Sequence, residues 1–388
     1  MVRIILIRNK CNLCGSVTKK VMDYGEVVDS GVFLKDLNEI EVKHPLTLWF
    51  CESCNLLQIG EHLDRDSVFR NYFYYSSATR TMKDHFSRLA SEIAGMEPKL
   101  VVEIGCNDGV LLKPLAKHGI RSIGIDPSNT VHEIDDPLIE IINDYFRGGL
   151  GIKADVVVAN NVFAHVPDIN GMTEDIMEIL KEDGVFMLEV NKLDSLVSGL
   201  QYDWVYHEHL YYYSLMTLMK HFERFGMEVF NFKRLAHHAG SMRVYVGFRG
   251  KHKISEEVQN QVDRERWYGL DKVETFYKFA ARAEEHRIEM RKMVNNMVGT
   301  IAGYGACGRT NTMLQYCGLD SRRISYIVDD APAKQGFYTP GTHIPIRSSE
   351  NLDADHLIVF AWSFLEEIEK KYNKEMIIPL PYIYTYKR

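Results

Sequence analysis

The sequence predicts an α/β protein with a doubly wound parallel sheet, preceded by a small cysteine-rich module. Short apolar runs alternate with helical patterns through the middle of the 388-residue chain, which is typical of a parallel sheet with helices on both faces. The predicted strands are residues 100–104, 119–126, 139–142, 156–160 and 185–190. A charged helical stretch, 256–296, leads to a second α/β unit that begins near residue 298. We therefore expect three domains, 1–75, 76–245 and 246–388.

The bulk composition argues against several classes of protein. Apolar residues make up 46% of the chain and charged residues 26%, as in ordinary globular proteins. The net charge of −7 comes without the basic block of a nucleic-acid-binding protein, and no apolar run reaches the length of a membrane span. The N-terminal residues lack a signal-peptide cleavage pattern. We expect a cytoplasmic monomer that binds neither nucleic acid nor membrane.

Four of the seven cysteines form two pairs with C-x-x-C spacing, Cys11 with Cys14 and Cys51 with Cys54. Two such knuckles can place four thiolates around one Zn²⁺ ion, and sites with four cysteine ligands are usually closed and structural. Strand-like runs are predicted at 26–28, 32–34 and 46–50, with a turn at 29–31. The alternatives are a redox dithiol, which the missing βαβ context disfavours, and a nucleic-acid-binding ribbon, which the acidic composition disfavours. We expect structural zinc.

The stretch 101–109 carries the most informative local pattern. An apolar run ends in Glu103, and Gly105 and Gly109 follow, four residues apart. Glycine is needed where the backbone takes a positive φ or a ligand comes close, so the pattern predicts a tight strand-to-helix turn beneath a nucleoside. The spacing E-x-G-x-x-x-G differs from the G-x-G-x-x-G of dinucleotide sites and resembles motif I of S-adenosylmethionine (SAM)-dependent methyltransferases.

Acidic and aromatic residues that follow the next strands fit the same ligand. Asp126 ends the second strand, where a carboxylate can accept hydrogen bonds from both ribose hydroxyls. Asp144 and Tyr145 follow the third strand and could hold adenine, and Asn160 ends the fourth, beside the expected methyl group. The expected cofactor-binding residues are Glu103, Gly105, Asn107, Gly109, Asp126, Asp144, Tyr145 and Asn160. The alternative is a nicotinamide-binding unit, which the glycine spacing disfavours.

Three polar clusters are candidates for the acceptor side. His165 follows the fourth strand, either as a packed or capping residue or as part of the site. Residues 206–209, Tyr-His-Glu-His, can perform acid–base chemistry, bind a metal through the two histidines, or form a structural hydrogen-bonded cluster. Ser241 and Arg243 follow the histidine pair 237–238. Arg243 either pairs with a phosphate or lies on the surface beside a turn.

Together these motifs resemble the three-domain SAM-dependent sugar C-methyltransferase family, typified by the NDP-sugar 3-C-methyltransferases of deoxysugar biosynthesis. The matching segments are the two cysteine pairs and residues 74–77, 103–109, 161, 165, 206–209, 240–243, 303–306 and 328–342. One departure is Ala239, where the family usually has glycine. The resemblance covers nearly the whole chain. It implies a zinc-binding module, a Rossmann-like SAM domain and a second, C-terminal Rossmann-like domain.

The resemblance also implies a reaction, the methylation of a carbon next to a sugar ketone. A C–H bond beside a carbonyl is acidic enough for an enzymic base, and the resulting enolate attacks the SAM methyl in line. By resemblance, His209 is the base and Glu208 orients or assists it. Tyr206 and His165 would hold or polarise the ketone oxygen as negative charge develops. No metal is needed for this step, so the zinc stays structural.

A glycine-rich loop, 303–308, opens the C-terminal unit. It matches G-x-G-x-x-G, and Asp329 lies about a strand–helix–strand unit further on, so NAD binding is an alternative. The resemblance implies instead that this domain holds the nucleotide of the sugar substrate. The expected substrate-binding residues are Asn161, Ser241, Arg243, Tyr304 and Lys334, and Tyr74 would shape the sugar pocket with Asn161. Other hypotheses are an NAD-dependent nucleotide-sugar enzyme and a zinc-ribbon scaffold with non-catalytic Rossmann-like units.

Overall fold

The computed structural model describes residues 4–6, 9–64, 75–77, 79–236 and 239–387, with the backbone alone for 4–6. Within these ranges the strands form four sheets of two, four, six and seven strands. The six- and seven-stranded sheets are mostly parallel, as the alternating sequence pattern predicts. The chain is therefore an α/β protein with two such units behind an antiparallel N-terminal module.

The N-terminal module is built from short antiparallel strands. They are β1 (Ile4–Leu6), β2 (Lys19–Val28), β3 (Lys43–Phe50), β4 (Leu57–Ile59) and β5 (Glu61–Leu63). Strand β3 pairs with β2 on one side and β4 on the other, while β1 pairs with β5.

The strand predicted at 32–34 is not formed. Leu34 instead makes an isolated bridge to Tyr338, far along the chain, and the two residues exchange main-chain hydrogen bonds of 3.0 and 2.8 Å. A long-range partner replaces the expected hairpin because β2 already has β3 beside it.

The central sheet carries the motifs of the predicted donor site. Its strands are β6 (Val101–Ile104), β7 (Ser122–Ile125), β8 (Ile139–Ile142), β9 (Ala154–Asn160), β10 (Leu180–Asn191), β12 (Met227–Leu235) and β13 (Ser241–Phe248), in the order β12-β13-β10-β9-β6-β7-β8. The five strands from β6 to β10 are parallel, and β12 and β13 are antiparallel. Strand β11 (Tyr211–Tyr212) leaves this sheet and pairs with β4. Strand β13 extends past the predicted domain boundary at residue 245.

Helices cover both faces of the central sheet. They are α1 (Arg80–Ala94), α2 (Leu112–Lys117), α3 (Ile169–Ile179), α4 (Leu193–Ser198) and α5 (Leu215–Glu223). The side chain of Thr79 caps α1, and buried Phe86, Leu89 and Ile93 lie on one face at helical spacing. This face packs on Val101 and Val158 of the sheet.

The C-terminal unit repeats the doubly wound plan. Its helices are α6 (Glu256–Trp267), α7 (Val273–Asn296), α8 (Gly308–Cys317) and α9 (Leu365–Ile368). Its strands are β14 (Ile301–Tyr304), β15 (Tyr326–Asp329), β16 (Ile346–Ser348), β17 (His356–Val359), β18 (Met376–Ile378) and β19 (Tyr384–Tyr386), in the order β16-β15-β14-β17-β18-β19. Among the described helices, none has the length and apolar character that a bilayer crossing requires.

Each parallel sheet has one point where the strand order reverses. In the central sheet the chain runs from β6 outward through β7 and β8, then returns to the other side of β6 with β9 and β10. In the C-terminal sheet, β14 lies between β15 and β17 in the same way. Ligands of open α/β sheets bind outside the carboxyl ends of the strands at such points. The fold therefore places one ligand site after β6 and another after β14.

Candidate active site

The turn after β6 has the backbone that its glycines predict. Gly105 and Gly109 both have a φ of 74°, and Asn107 between them has a φ of 48°. A Cβ atom on Gly105 would lie 2.3 Å from Cγ2 of Val162, so both the conformation and the space require glycine. The close approach joins this turn to the segment that follows β9.

The carboxyl ends of four neighbouring strands bring the predicted cofactor-binding residues to one edge of the sheet. Glu103 lies near the end of β6, Asp126 just after β7, Asp144 after β8 and Asn160 at the end of β9. Glu103 is buried, and desolvation raises the pKa of its carboxyl well above its usual range. The side-chain amide of Asn160 donates to Glu103 Oε1 at 3.5 Å. This edge can therefore present polar groups to a nucleoside.

Asp126 also shapes the turn itself. Its Oδ2 accepts the main-chain N–H of Asn107 at 2.9 Å, and its Oδ1 accepts that of Ser128 at 2.8 Å. Oδ1 also accepts the hydroxyl of Ser128 at 2.5 Å, whereas Oδ2 has a second lone pair that can accept a further hydrogen bond. The carboxylate can thus hold the turn and still accept a ribose hydroxyl. Beyond β8, the main-chain N–H of Tyr145 donates to Asp144 Oδ1 at 2.8 Å.

A short segment before α1 is fastened to the same turn. The N–H of Ser76 donates to Asn107 Oδ1 at 2.9 Å, and the N–H of Ser77 donates to Asp108 Oδ2 at 3.2 Å. Tyr74, predicted in the sugar pocket, lies outside the described residues, as does the histidine pair 237–238. The donor turn and the segment that follows Tyr74 are therefore directly joined.

The structure brings His165, Tyr206 and His209 together. The rings of His165 and His209 are 4.9 Å apart between centroids, and those of Tyr206 and His209 are 4.3 Å apart. The hydroxyl of Tyr206 lies 3.2 Å from His209 Nε2. His165 follows the carboxyl end of β9, where Asn161 takes a left-handed φ of 55° and donates its N–H to the carbonyl of Glu189. We call His165, Tyr206 and His209 the imidazole cluster. It lies just past the donor edge, the edge of the central sheet where the predicted cofactor-binding residues meet.

Main-chain carbonyls determine the tautomers of both imidazoles. Nδ1 of His165 lies 2.6 Å from the carbonyl oxygen of Glu208, and Nδ1 of His209 lies 3.2 Å from that of Trp204. Because a carbonyl oxygen only accepts, each Nδ1 carries the proton and each Nε2 of a neutral ring carries a lone pair. Burial also lowers the pKa of His165 to about 4. This tautomer presents an acceptor at Nε2, and the predicted part of His165 in holding or polarising a ketone oxygen stays a prediction.

Glu208 and His207 point toward the N-terminal module. A Cβ atom on Gly31 would lie 2.0 Å from Glu208 Oε1, so this carboxylate packs tightly on the turn at 29–31. His207 Nε2 lies 3.1 Å from the carbonyl of Pro45, and its ring contacts His44 edge-on. His207 and His209 therefore point to different surroundings, and the structure does not support a metal site between them.

The four cysteines converge as their spacing predicts. Their sulfur atoms all lie within 4.8 Å of one another, with 3.4 Å between Cys11 and Cys54 and 3.6 Å between Cys14 and Cys51. Zinc–sulfur bonds of about 2.3 Å in a tetrahedron place sulfurs about 3.8 Å apart, so the cluster fits one Zn²⁺ ion. It is the one group in the described parts of the chain with enough close metal-ligating side chains to hold a metal.

Both knuckles are docked on the central unit. The side chain of Asn12 donates to the carbonyl of Pro167 at 2.5 Å, two residues after His165. On the second knuckle, Asn55 has a left-handed φ of 65° and accepts at its carbonyl from Thr217 of α5 at 2.8 Å. The zinc module therefore supports the loop that carries His165.

Arg243 is not placed as a phosphate ligand. Its guanidinium is buried and lies 2.5 Å from Glu189 and 2.8 Å from Glu92, while Glu189 also contacts His85 at 2.9 Å. Glu92 and Glu189 form ion pairs with the Arg243 guanidinium, and these pairs link α1 to β10 and β13. Ser241, at the start of β13, is fully buried. The alternative of a surface residue is therefore wrong for Arg243, and its carboxylate partners disfavour the phosphate alternative, which stays a prediction.

The loop after β14 is held by a carboxylate from the end of β15. Oδ2 of Asp329 accepts the N–H of Ala306 at 2.7 Å, and Oδ1 accepts that of Ala331 at 2.9 Å. The ammonium of Lys334 donates to the carbonyl of Ala306 at 2.7 Å, and the hydroxyl of Tyr304 donates to Asp330 at 2.8 Å. Tyr304 and Lys334 thus both lie at the carboxyl end of the C-terminal sheet, around one loop.

The start of α8, at the carboxyl end of the C-terminal sheet, lies against the imidazole cluster. Gly308 begins α8, and a Cβ atom there would lie 3.4 Å from the ring of Tyr206. The start of this helix therefore contacts the segment that carries His209. A ligand that spans the two edges would pass the imidazole cluster.

A comparison with known proteins covers the whole chain. It is 30% identical over 401 aligned residues to C-methyltransferase NovU of Streptomyces niveus, and the alignment covers 96% of each chain. The chain belongs to the C-methyltransferase family. This C-methyltransferase uses SAM as its methyl donor, and its four-cysteine module binds zinc. The predicted family, fold class and cofactors are confirmed.

Family models match the C-methyltransferase in three consecutive stretches. Residues 11–69 match a "Putative zinc binding domain", residues 74–231 a "Methyltransferase domain" and residues 236–381 a "C-methyltransferase C-terminal domain". The mitochondrial ubiquinone biosynthesis O-methyltransferase of Bos taurus is 29% identical over 134 residues, which cover 31% of this chain and 35% of that protein. The magnesium protoporphyrin IX methyltransferase of Synechocystis matches 43% of this chain and 79% of its own at 16% identity, with a TM-score of 0.35. A TM-score this low carries no weight for substrate or mechanism.

Sequence patterns did not identify some of the residues around the imidazole cluster. Asp203 and Trp204 directly precede the predicted cluster, and Arg309 follows the glycine loop, 106 positions beyond Asp203. Arg309 contacts both of them in the C-methyltransferase. The aromatic-rich sequence around Trp204 was a weak signal, whereas nothing local marks Arg309.

Proposed function

We propose that this C-methyltransferase transfers the SAM methyl group to a carbon next to the ketone of a nucleotide-linked 4-keto-deoxysugar. One observation carries the proposal: His209 has its Nδ1 proton directed at a main-chain carbonyl and its Nε2 lone pair beside the hydroxyl of Tyr206. A neutral imidazole with an oriented lone pair is a competent general base. Its position between the two ligand edges suits an acceptor that bridges the two α/β units.

The proposed reaction begins with proton removal. Nε2 of His209 takes the proton from the carbon beside the ketone, and the electron pair of that C–H bond moves toward the ketone oxygen. The hydroxyl of Tyr206 then donates a hydrogen bond to the developing oxyanion, which lowers the energy of the enolate. SAM supplies an electrophilic methyl group. The enolate carbon forms the new C–C bond as the sulfur–methyl bond breaks.

His165 has a different role in this proposal from the one expected from the resemblance. Its Nε2 accepts, so it suits a sugar hydroxyl that must be held beside the reacting carbon. Asn161, at the same strand end, can donate its side-chain amide to the sugar. Lys334 and Tyr304 surround the loop that would hold the nucleotide, and the N–H groups at the start of α8 suit a phosphate.

A panel of NDP-4-keto-6-deoxysugars, assayed with SAM and followed by NMR of each product, tests the proposal. The expected result is a new C–CH₃ group next to the carbonyl carbon of at least one member. Transfer to oxygen or nitrogen alone would contradict it, as would SAM turnover only with acceptors that lack a ketone. NAD serves as a control ligand, and we expect SAM and not NAD to raise the melting temperature.

A further inference from the structure

The guanidinium of Arg309 lies between two indole rings. Its central carbon is 4.7 Å from the ring centroid of Trp204 and 4.5 Å from that of Trp362. Arg309 is the second residue of α8, directly after the glycine loop, whereas Trp204 precedes the imidazole cluster. The stack therefore joins the C-terminal unit to the catalytic segment. Cation–π contacts of this kind are strongest when the cation is desolvated, and Arg309 is only 9% exposed.

A buried carboxylate fixes the orientation of this guanidinium. Nε of Arg309 donates to Asp203 Oδ2 at 2.9 Å, and Nη2 lies 2.7 Å from the same oxygen. The indole N–H of Trp362 also donates to Asp203 Oδ2 at 3.2 Å. The side chain of Asp203 is 1% exposed, so Arg309 supplies the charge that compensates it.

Trp204 in turn orients His209 through two separate contacts. The indole stacks on the imidazole with 5.2 Å between centroids and 14° between planes. The main-chain carbonyl of Trp204 accepts the Nδ1 proton of His209 at 3.2 Å. One residue thus determines both the plane of the imidazole and its tautomer. A displacement of Trp204 would change the direction of the Nε2 lone pair.

We infer that Arg309 is a positioning residue for His209, acting through Trp204. This inference rests on the proposed role of His209 as the base. Arg309 holds Trp204 flat against the imidazole from the far side, so the C-terminal unit completes the geometry of the base. Lysine cannot replace it, because an ammonium has neither the flat face for two indoles nor the rigid donor fork for Asp203. The glycine loop directly precedes Arg309. The start of α8 therefore contributes both to the proposed nucleotide site and to the position of His209, the proposed base.

The test compares Arg309→Lys and Arg309→Met with the wild-type enzyme. We expect kcat to fall by up to about 100-fold, the cost of a small misplacement of a catalytic group, while the Kd for SAM stays within two-fold, roughly the scatter expected of an untouched site. In the wild type, ¹⁵N NMR of the His209 ring should show a protonated Nδ1 and an unprotonated Nε2. In both variants we expect the two ring signals to move toward exchange between tautomers.

Arg287→Met is the matched control. Arg287 also bonds a carboxylate through two nitrogens, Glu284 at 2.7 and 2.5 Å, and lies over an aromatic ring, Tyr316, at 5.7 Å. It is in the same C-terminal unit, on α7, and its contacts within the described ranges are with Glu284 and Tyr316 rather than with the residues around His209. We expect wild-type kcat and unchanged His209 signals.

A double-variant cycle separates positioning from general structural damage. If Arg309 acts through Trp204, adding Trp204→Leu to Arg309→Met should lower kcat little beyond either single change. Additive losses would overturn the inference, and so would wild-type kcat with unchanged His209 signals in Arg309→Lys and Arg309→Met. If His209→Asn retains turnover, the proposed base fails instead. If His209→Asn is inactive and Arg309→Met is fully active, only the positioning role fails.

Discussion

His165 Nδ1 lies 2.6 Å from the main-chain carbonyl oxygen of Glu208, so the loop after β9 is bonded directly to the segment that carries His209. A second carbonyl, that of Trp204, lies 3.2 Å from Nδ1 of His209, so both imidazoles have the same arrangement, a proton on Nδ1 and a lone pair on Nε2. Two neighbouring acceptors of this kind suit a site that takes a proton from carbon and holds a sugar hydroxyl. The four predictions below test this arrangement and its supports.

Replacing His209 with asparagine should remove catalysis and leave the donor site intact. A general base contributes about 10²- to 10⁴-fold, so we expect kcat to fall in that range while calorimetry shows unchanged SAM binding. Solvent deuterium exchange at the acceptor carbon should vanish as well. His207→Asn is the control, because His207 faces Pro45 and His44. Exchange that persists in His209→Asn would assign the base to another residue.

Stability should fall as the pH drops below neutrality, because burial lowers the pKa of five described histidines, His207 and His286 among them. Burial lowers the pKa of His62 and His165 to about 4 and that of His221 to about 3. Their folded pKa values lie below the unfolded value of about 6.5, so the unfolded chain binds more protons in this window. The stabilisation is complete above pH 6.5 and is lost as the pH falls toward 4, at about 1.4 kcal/mol per pH unit for each histidine.

Urea unfolding between pH 6.5 and 5 measures this slope, since carboxyls with ordinary pKa values stay mostly ionised there. Buried Glu103, whose pKa is raised, contributes with the opposite sign, so the comparison of wild type with a histidine variant isolates the histidine. Nε2 of His221 lies 2.8 Å from the hydroxyl of Thr173, and a glutamine amide, which reaches the position of Nε2, could keep that contact. His221→Gln should therefore flatten the slope by about one proton. A slope equal to that of the wild type would show that His221 does not titrate on unfolding.

Loss of zinc should disable methyl transfer more than SAM binding. Cys51→Ser removes one of four ligands, and the knuckles that contact Pro167 and α5 would lose their shape. We expect the zinc content to fall from one ion per chain to nearly none, kcat to fall with it, and the SAM affinity to change little. Cys317→Ser, a buried thiol outside the cluster, is the control and should retain zinc. Full activity in the zinc-free variant would refute the supporting role.

Arg243→Met should destabilise the fold without a specific effect on the acceptor. The change leaves Glu189 buried beside His85 without its guanidinium partner, and breaking a buried ion pair costs about 3–5 kcal/mol. Urea unfolding should show this loss, and adding Glu189→Gln should recover part of it. Arg249→Met, at a surface pair with Glu223, should change stability by less than about 1 kcal/mol. A raised KM for the acceptor with unchanged stability would contradict this prediction and support a phosphate-binding role for Arg243.

Local sequence patterns were sufficient for the parts of this protein that depend on neighbouring residues. The turn after β6 follows from Gly105 and Gly109, because a positive φ is a property of the residue that adopts it. The parallel strands follow from apolar runs that must be buried on both faces. The zinc cluster follows from two C-x-x-C pairs, since each knuckle is a local turn and the metal needs four thiolates.

Contacts between distant segments determine the partners and orientations of the polar side chains, which local patterns could not predict. The sequence left two alternatives for Arg243, a phosphate ligand or a surface residue, whereas the fold surrounds it with carboxylates from β10 and α1. His165 was expected to hold or polarise a ketone oxygen, and the carbonyl of Glu208 decides which of its ring nitrogens carries the proton. The stack of Arg309 on Trp204 has no local signature. The physical reason is common to these cases: the protonation, partners and orientation of a polar side chain depend on the groups that share its buried space, and those groups come from far along the chain.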